Sequence, residues 1–155
     1  MLASYESPPP PFVVAGGFFD RRRPPTGTAL PAAPSGNLLL DMDQVRAAGL
    51  RFDPRLGTHG GEDTLFTRQL ARAGGRIVFC REAAIHDLVP ASRSTRTWVL
   101  ARARHTGATH SVVTLLDTPP GPRRAAARVG LLLGGTGRAV VGLARAVAGR
   151  VLRSP

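Results

Sequence analysis

The sequence predicts an α/β fold, and three observations carry that expectation. Between residues 37 and 117 short apolar runs, "NLLL" and "RIVFC", alternate with stretches of helical periodicity. Gly-Gly and Pro-Pro pairs punctuate those stretches, as turns between packed elements require. The length, 155 residues, suffices for one modest domain with a core and its tails, and is short for two.

Taken in order, residues 1–36 hold eight of the 14 prolines and the run "DRRRPPTGT", which predicts extended or looped chain rather than packed elements. After "NLLL" comes a short helix from Asp41 to Gly49. The next stretch, "THGGEDTLFTRQLARAGG" at 58–75, predicts a core-facing helix of about three turns. At about 100° per residue Phe66, Leu70 and Ala73 share one side with Leu65 beside them, while Arg68 and Arg72 fall opposite. Gly74-Gly75 supplies the stop. A strand follows in "RIVFC", and then a helix from about Ser92 to Thr106. No internal repeat is present.

Residues 118–155 open with "TPPGP" and continue as a predicted basic amphipathic helix over 123–153. On a helical wheel Arg124, Arg128, Arg138, Arg145, Arg150 and Arg153 fall within an arc of about 140°, with Val129, Leu133, Val140, Leu143, Val147 and Val151 mostly opposite. The longest uncharged run, Val129 to Gly137, is far short of the ~20 residues that cross a bilayer. An interfacial helix on anionic lipid fits this pattern. The other reading packs the apolar face on the rest of the protein, and Gly134, Gly135 and Gly137 weaken either helix.

Charge agrees with that division. All 21 basic side chains counted as Lys or Arg are arginines, and the net charge is +11. Residues 1–117 carry 14 arginines against all 10 acids, whereas 118–155 carry seven arginines and none. The basic partner surface therefore belongs to the tail. Cys80 stands alone, so no internal disulfide forms, and a reducing compartment is the easier expectation. "MLASYESPPPPF" lacks the basic and apolar regions of a secretory signal, so the chain is expected in the cytoplasm, peripheral at the inner face of the plasma membrane.

Glu62 and Asp63 fall at the N-terminus of the predicted 62–73 helix, where unpaired N–H groups and the helix dipole favour carboxylates. A cap explains the acids without chemistry, but it does not explain Gly60-Gly61, whose backbone freedom also permits close approach of a ligand. "DMD" at Asp41-Met42-Asp43 starts a helix containing Val45 and Ala48, and its acids are expected to serve that helix N-terminus rather than a metal. Cys80 is expected as a small buried apolar residue ending a strand.

The series "SGNLLLD", "AAGLRFDPRLG", "GGEDTLFTRQLARAGGRIVFC", "EAAIHDLVPASR" and "RTWVLARARHTG" resembles, in order and spacing, the C-terminal half of the catalytic domain of family 2 glycosyltransferases. It covers roughly residues 16–110, and "GGED" with its helix and following strand is the most specific element. The resemblance implies a partial GT-A fold, a Rossmann-like α/β sheet without its N-terminal nucleotide-binding strands. It also implies inverting transfer from a nucleotide-sugar donor to a sugar or lipid-linked acceptor, in cell-envelope or polysaccharide synthesis. In that family the D-x-D motif precedes the "GN" segment, whereas Asp41-Met42-Asp43 follows it.

Carried onto this sequence, the resemblance makes Asp63 the general base for an acceptor hydroxyl and Glu62 the residue that positions it. Gly60 and Gly61 would border the substrate. His86 becomes a contact to a divalent ion (Mg or Mn) or to the donor diphosphate, although a lone His at a strand end also serves structure. Arg93 and Arg96 offer guanidinium forks to phosphate, with solvated surface arginines as the alternative. Trp98 is either packing or a sugar platform.

Residues 1–36 are not expected to supply the donor half, so the chain is expected to be a truncated frame or to act beside a second polypeptide. The competing expectation is an inactive remnant or membrane-associated interaction module. A nucleic-acid binder, suggested only by charge, lacks aromatic platforms among its arginines.

Overall fold

A computed structural model describes residues 1–151, with side chains described through residue 144. The fold is mixed α/β, mostly helical, with a small two-stranded parallel sheet. Two compact units divide the chain, Met1–Val113 and Thr114–Pro155.

The first unit begins with β1, Leu2–Tyr5, and helix α1, Pro11–Gly16. Proline at the first helical position costs no hydrogen bond, and Gly17 at φ 55° closes α1 in the left-handed region. Val13 on this short helix is fully buried. Residues 1–36 are therefore not loop alone, contrary to the reading of their prolines: Pro8 to Pro11 separate β1 from α1 and start the helix rather than prevent either element.

β1 pairs in parallel with β2, His86–Val89, in the register Leu2 opposite His86 and Tyr5 opposite Val89. The predicted strand at 76–80 forms only an isolated antiparallel bridge, Ala29 opposite Val78, supported by Gly27 N–H to Phe79 O at 2.8 Å and Phe79 N–H to Thr28 O at 2.9 Å. Pro25 and Pro31 bracket the partner segment and cannot donate, so the ladder does not extend.

Helix α2, Met42–Ala47, starts where Asp41 caps it, accepting the N–H groups of Asp43 and Gln44. Helix α3, Glu62–Arg72, buries Leu65, Phe66, Thr67 and Leu70. Phe66 and Leu70 pack on Val45 of α2, flanked by Leu40 and Leu50, and Phe52 stacks on Phe66 with centroids 4.5 Å apart. Thr67, fully buried, belongs to the inner face that the apolar periodicity missed. Its hydroxyl lies 2.7 Å from Asp63 O, and it accepts the Ala33 N–H at 3.1 Å, tying α3 to the Pro-rich segment.

Helix α4 spans Arg96–Asp117, eleven residues beyond the predicted end. Gly107 sits inside it rather than capping it, and the prolines after Thr118 set the stop. An aromatic set fastens the N-terminal segment to the start of α4: Tyr5 meets Phe19 edge-on at 5.9 Å, and Phe19 stacks on Trp98 at 5.7 Å.

The second unit contains α5, Pro122–Val151, close to the predicted 123–153. Arg124 donates twice to Thr118 O, at 2.7 and 2.9 Å, bracing the turn before it. Val129, Leu132, Leu133, Val140, Val141 and Leu143 are exposed. The side chains of Arg145, Val147, Arg150 and Val151, and all of Arg153, lie outside the described residues. Among the described residues no helix is long and apolar enough to cross a membrane.

Candidate functional site

The chain reverses direction at Gly60-Gly61 and enters α3. Both glycines occupy the left-handed region, φ 72° and 93°, which side chains other than glycine adopt only with strain. Gly61 also stands against α4: a Cβ there would lie 2.6 Å from Thr109 Cγ2 and 2.7 Å from Val113 Cγ2. What approaches the Gly61 backbone in this structure is thus helix α4. At Gly60 a Cβ would meet only His105 Nε2, at an ordinary 3.6 Å. Thr109 Oγ1 donates to His59 O at 3.0 Å, closing the same junction.

Glu62 and Asp63 form the first turn of α3, as the sequence indicated, and differ in what they hold. Asp63 Oδ1 accepts the Thr64 N–H at 2.6 Å and is contacted by the Thr64 hydroxyl at 3.3 Å, while Oδ2 accepts the Ser35 N–H at 3.0 Å. A carboxylate oxygen has two lone pairs, so Oδ2 keeps one open. Glu62 Oε2 is buried and has no hydrogen-bond partner. A buried carboxylate oxygen without a donor is costly, and it is an acceptor in want of a donor.

Both acids line a cleft of about 1420 Å³ within the first unit. This exceeds the ~300–1,000 Å³ usual for small-molecule pockets and leaves room for an extended ligand. Gly60 and Gly61 lie on the same wall, and Asn37 and Asp41 line another part of it. Asp41 there is committed to capping α2, and Asp43 pairs with Arg46 at 3.0 Å, in keeping with the helix-terminal reading of "DMD".

His86, Arg93, Arg96 and Trp98 lie outside the cleft lining. His86 is exposed at the start of β2. Arg93 lies over the Trp98 ring at 5.9 Å and Arg96 over Phe12 at 4.7 Å, so both guanidiniums contact aromatic faces. Trp98 is half-buried, with Phe19 stacked on it. Cys80 is exposed rather than buried, its Sγ 3.5 Å from Glu82 Oε2, because the 76–80 segment lacks a full ladder to cover it.

Arg102, His105 and Thr109 of α4 line the cleft and were not singled out by the sequence. Their spacing, continued by Val113, is three to four residues along one helix face, and that pattern was the available signal. Arg21, Arg22 and Arg76 also reach the cleft from two loops, and no local pattern marks them.

A hard divalent ion wants several converging oxygen ligands. Among the described residues no three His, Cys, Asp or Glu side chains converge on a point, and His86 is not with the acidic pair. The donor set present does not fit such an ion.

No protein-family model matches this chain, and no solved structure matches it. The chain is 42% identical over 74 residues to the succinoglycan biosynthesis protein ExoM of Rhizobium meliloti (strain 1021), a match covering 48% of this chain and 24% of that protein. The chain thus spans about a quarter of the length of the curated relative it matches.

Proposed function

We propose that this chain carries the acceptor side of an inverting family 2 glycosyltransferase of GT-A type that acts in polysaccharide synthesis. The observation that carries the reading is the acidic pair at the N-terminus of α3, lining a cleft large enough for an extended saccharide. The similarity to ExoM, named for succinoglycan biosynthesis, supports the same direction.

In the proposed reaction an acceptor hydroxyl donates a hydrogen bond into the pair. Glu62, beside it on the cleft wall, orients it, and the open lone pair of Asp63 Oδ2 takes the proton as the oxygen attacks the anomeric carbon. The C–O bond to the nucleoside diphosphate breaks with its electron pair on the leaving oxygen, and the centre inverts. The hydrogen bonds from Thr64 and Ser35 hold the Asp63 carboxylate in one orientation, which is the positioning that general-base catalysis needs. The donor-side strands belong, in this reading, to sequence beyond the part that resembles the family. In this reading the exposed apolar side chains and the arginines of α5 support an interfacial position on an anionic membrane surface.

Calorimetric titration of the chain with UDP-, GDP- and dTDP-sugars, with and without manganese, tests the reading together with an Asp63→Asn variant. Nucleotide-sugar binding, with sugar transfer that is lost in Asp63→Asn, is the expected result. No binding to any nucleotide and no transfer would sink the autonomous enzyme and favour an interaction module.

A further inference from the structure

We infer that the cleft recognises a diphosphate group carried by the acceptor, held by Arg21, Arg22, Arg76 and Arg102 beside the acidic pair; the assignment to the acceptor rests on the glycosyl-transfer reading. The four guanidiniums arrive from three separate stretches of chain: the loop after α1, the segment after α3, and α4 itself. None of the four makes an ion pair or hydrogen bond with the described residues. By contrast Arg23, next in sequence, donates to Arg81 O at 2.7 Å, and Arg46 and Arg55 are paired with Asp43 and Asp53.

The arginines are therefore not held off by the carboxylates that share their cleft. An uncharged saccharide would complement Glu62 and Asp63 with hydroxyls and leave four cations without a counterpart. A ligand with hydroxyls at one end and a phosphate ester at the other matches both halves, because guanidinium presents planar donor forks to phosphate oxygens. The Arg21-Arg22 loop is also fastened at its base: Arg23 is bonded to Arg81 O, and Gly27 N–H to Phe79 O at 2.8 Å. A tethered loop loses less conformational freedom when it closes on an anion.

The test is calorimetric titration of the full chain with inorganic diphosphate, farnesyl diphosphate, UDP and glucuronate, at low and high salt. The variants are Arg21→Gln/Arg22→Gln and Arg102→Gln, and the charge-matched control is Arg51→Gln/Arg104→Gln, whose side chains are exposed outside the cleft. All are surface changes, and circular dichroism checks that the fold is kept. Diphosphate and farnesyl diphosphate should bind, UDP and glucuronate more weakly. Each cleft variant should weaken diphosphate by about tenfold, as loss of charge-assisted contacts predicts, and the control by much less.

Equal weakening by the control, or no diphosphate binding at all, overturns the site. UDP binding tighter than farnesyl diphosphate overturns the acceptor assignment and moves the anion to the donor. Asp63→Asn should keep diphosphate affinity, and absence of transfer by the unmutated chain with intact diphosphate binding would sink the glycosyl-transfer reading without touching this site.

Discussion

Replacing Gly61 by alanine isolates the contact on which the acidic turn is built. Its φ of 93° forces a side chain into a left-handed conformation, at about 1–3 kcal/mol. The new Cβ would also stand 2.6 Å from Thr109 Cγ2 and 2.7 Å from Val113 Cγ2. Val113 is 1% exposed and has nowhere to retreat, so overpacking adds about 1–3 kcal/mol. Gly60→Ala, at φ 72° with its nearest neighbour 3.6 Å away, carries the backbone cost alone. At about 2–4 °C per kcal/mol, thermal denaturation should show Gly61→Ala melting roughly 10 °C below the parent and Gly60→Ala roughly 5 °C below it. Adding Thr109→Ser removes the clashing methyl and keeps a hydroxyl for His59 O, so the double variant should regain part of the loss. Equal melting of the two alanine variants, with no rescue, would show that close packing on α4 is not why glycine stands at 61.

Thr67→Val keeps the shape of a fully buried side chain but leaves the Ala33 N–H without its acceptor; a loss of about 1–3 kcal/mol in urea unfolding, with faster hydrogen exchange at Ala33, is expected. The hydrogen bonds from the Arg55 side chain and backbone hold the Asp53 carboxyl below its ordinary value of 3.8. A depressed folded value means that its contribution to stability is complete above the unfolded value and is lost as pH falls through the folded one. NMR titration should give a low Asp53 midpoint that rises in Arg55→Gln, and an unchanged midpoint would remove the pair from the account. The chain should sediment with vesicles containing anionic lipid and not with neutral ones. Arg128→Glu/Arg138→Glu should cut that binding at least tenfold at low salt, at about 1 kcal/mol per charge; indifference to lipid charge would rule out the interfacial tail.

The helices around the cleft were legible because their signals are local. Asp41 precedes an apolar repeat and caps it, and the 3.6-residue period of Leu65, Phe66 and Leu70 gives both the helix and its buried side. Thr67 escaped because a polar residue becomes an inner one only when a partner, here Ala33, is 34 residues away. Strand pairing was unreadable for the same reason: Leu2–Tyr5 is no more strand-like than "RIVFC", and the choice was made by the register against His86–Val89. In the cleft, Glu62 and Asp63 were marked by the glycine pair before them and by the resemblance, while Ser35, which fixes Asp63, and Arg21, Arg22 and Arg76 come from distant loops. The Gly60-Gly61 pair was visible, but the helix that crowds Gly61 was not, since α4 was expected to end at Thr106 and the crowding residues are Thr109 and Val113.

The two-stranded ribbon of β1 and β2 has a bearing on how the chain meets other chains. Parallel strands are ordinarily sheathed on both faces, yet Leu88 is 62% exposed, and among the described residues no third strand flanks either member of the pair. Each outer edge carries unspent N–H and C=O groups, a template on which another chain's strand can zip. Copies of the chain can therefore pair through that edge, in competition with any other strand that fits it.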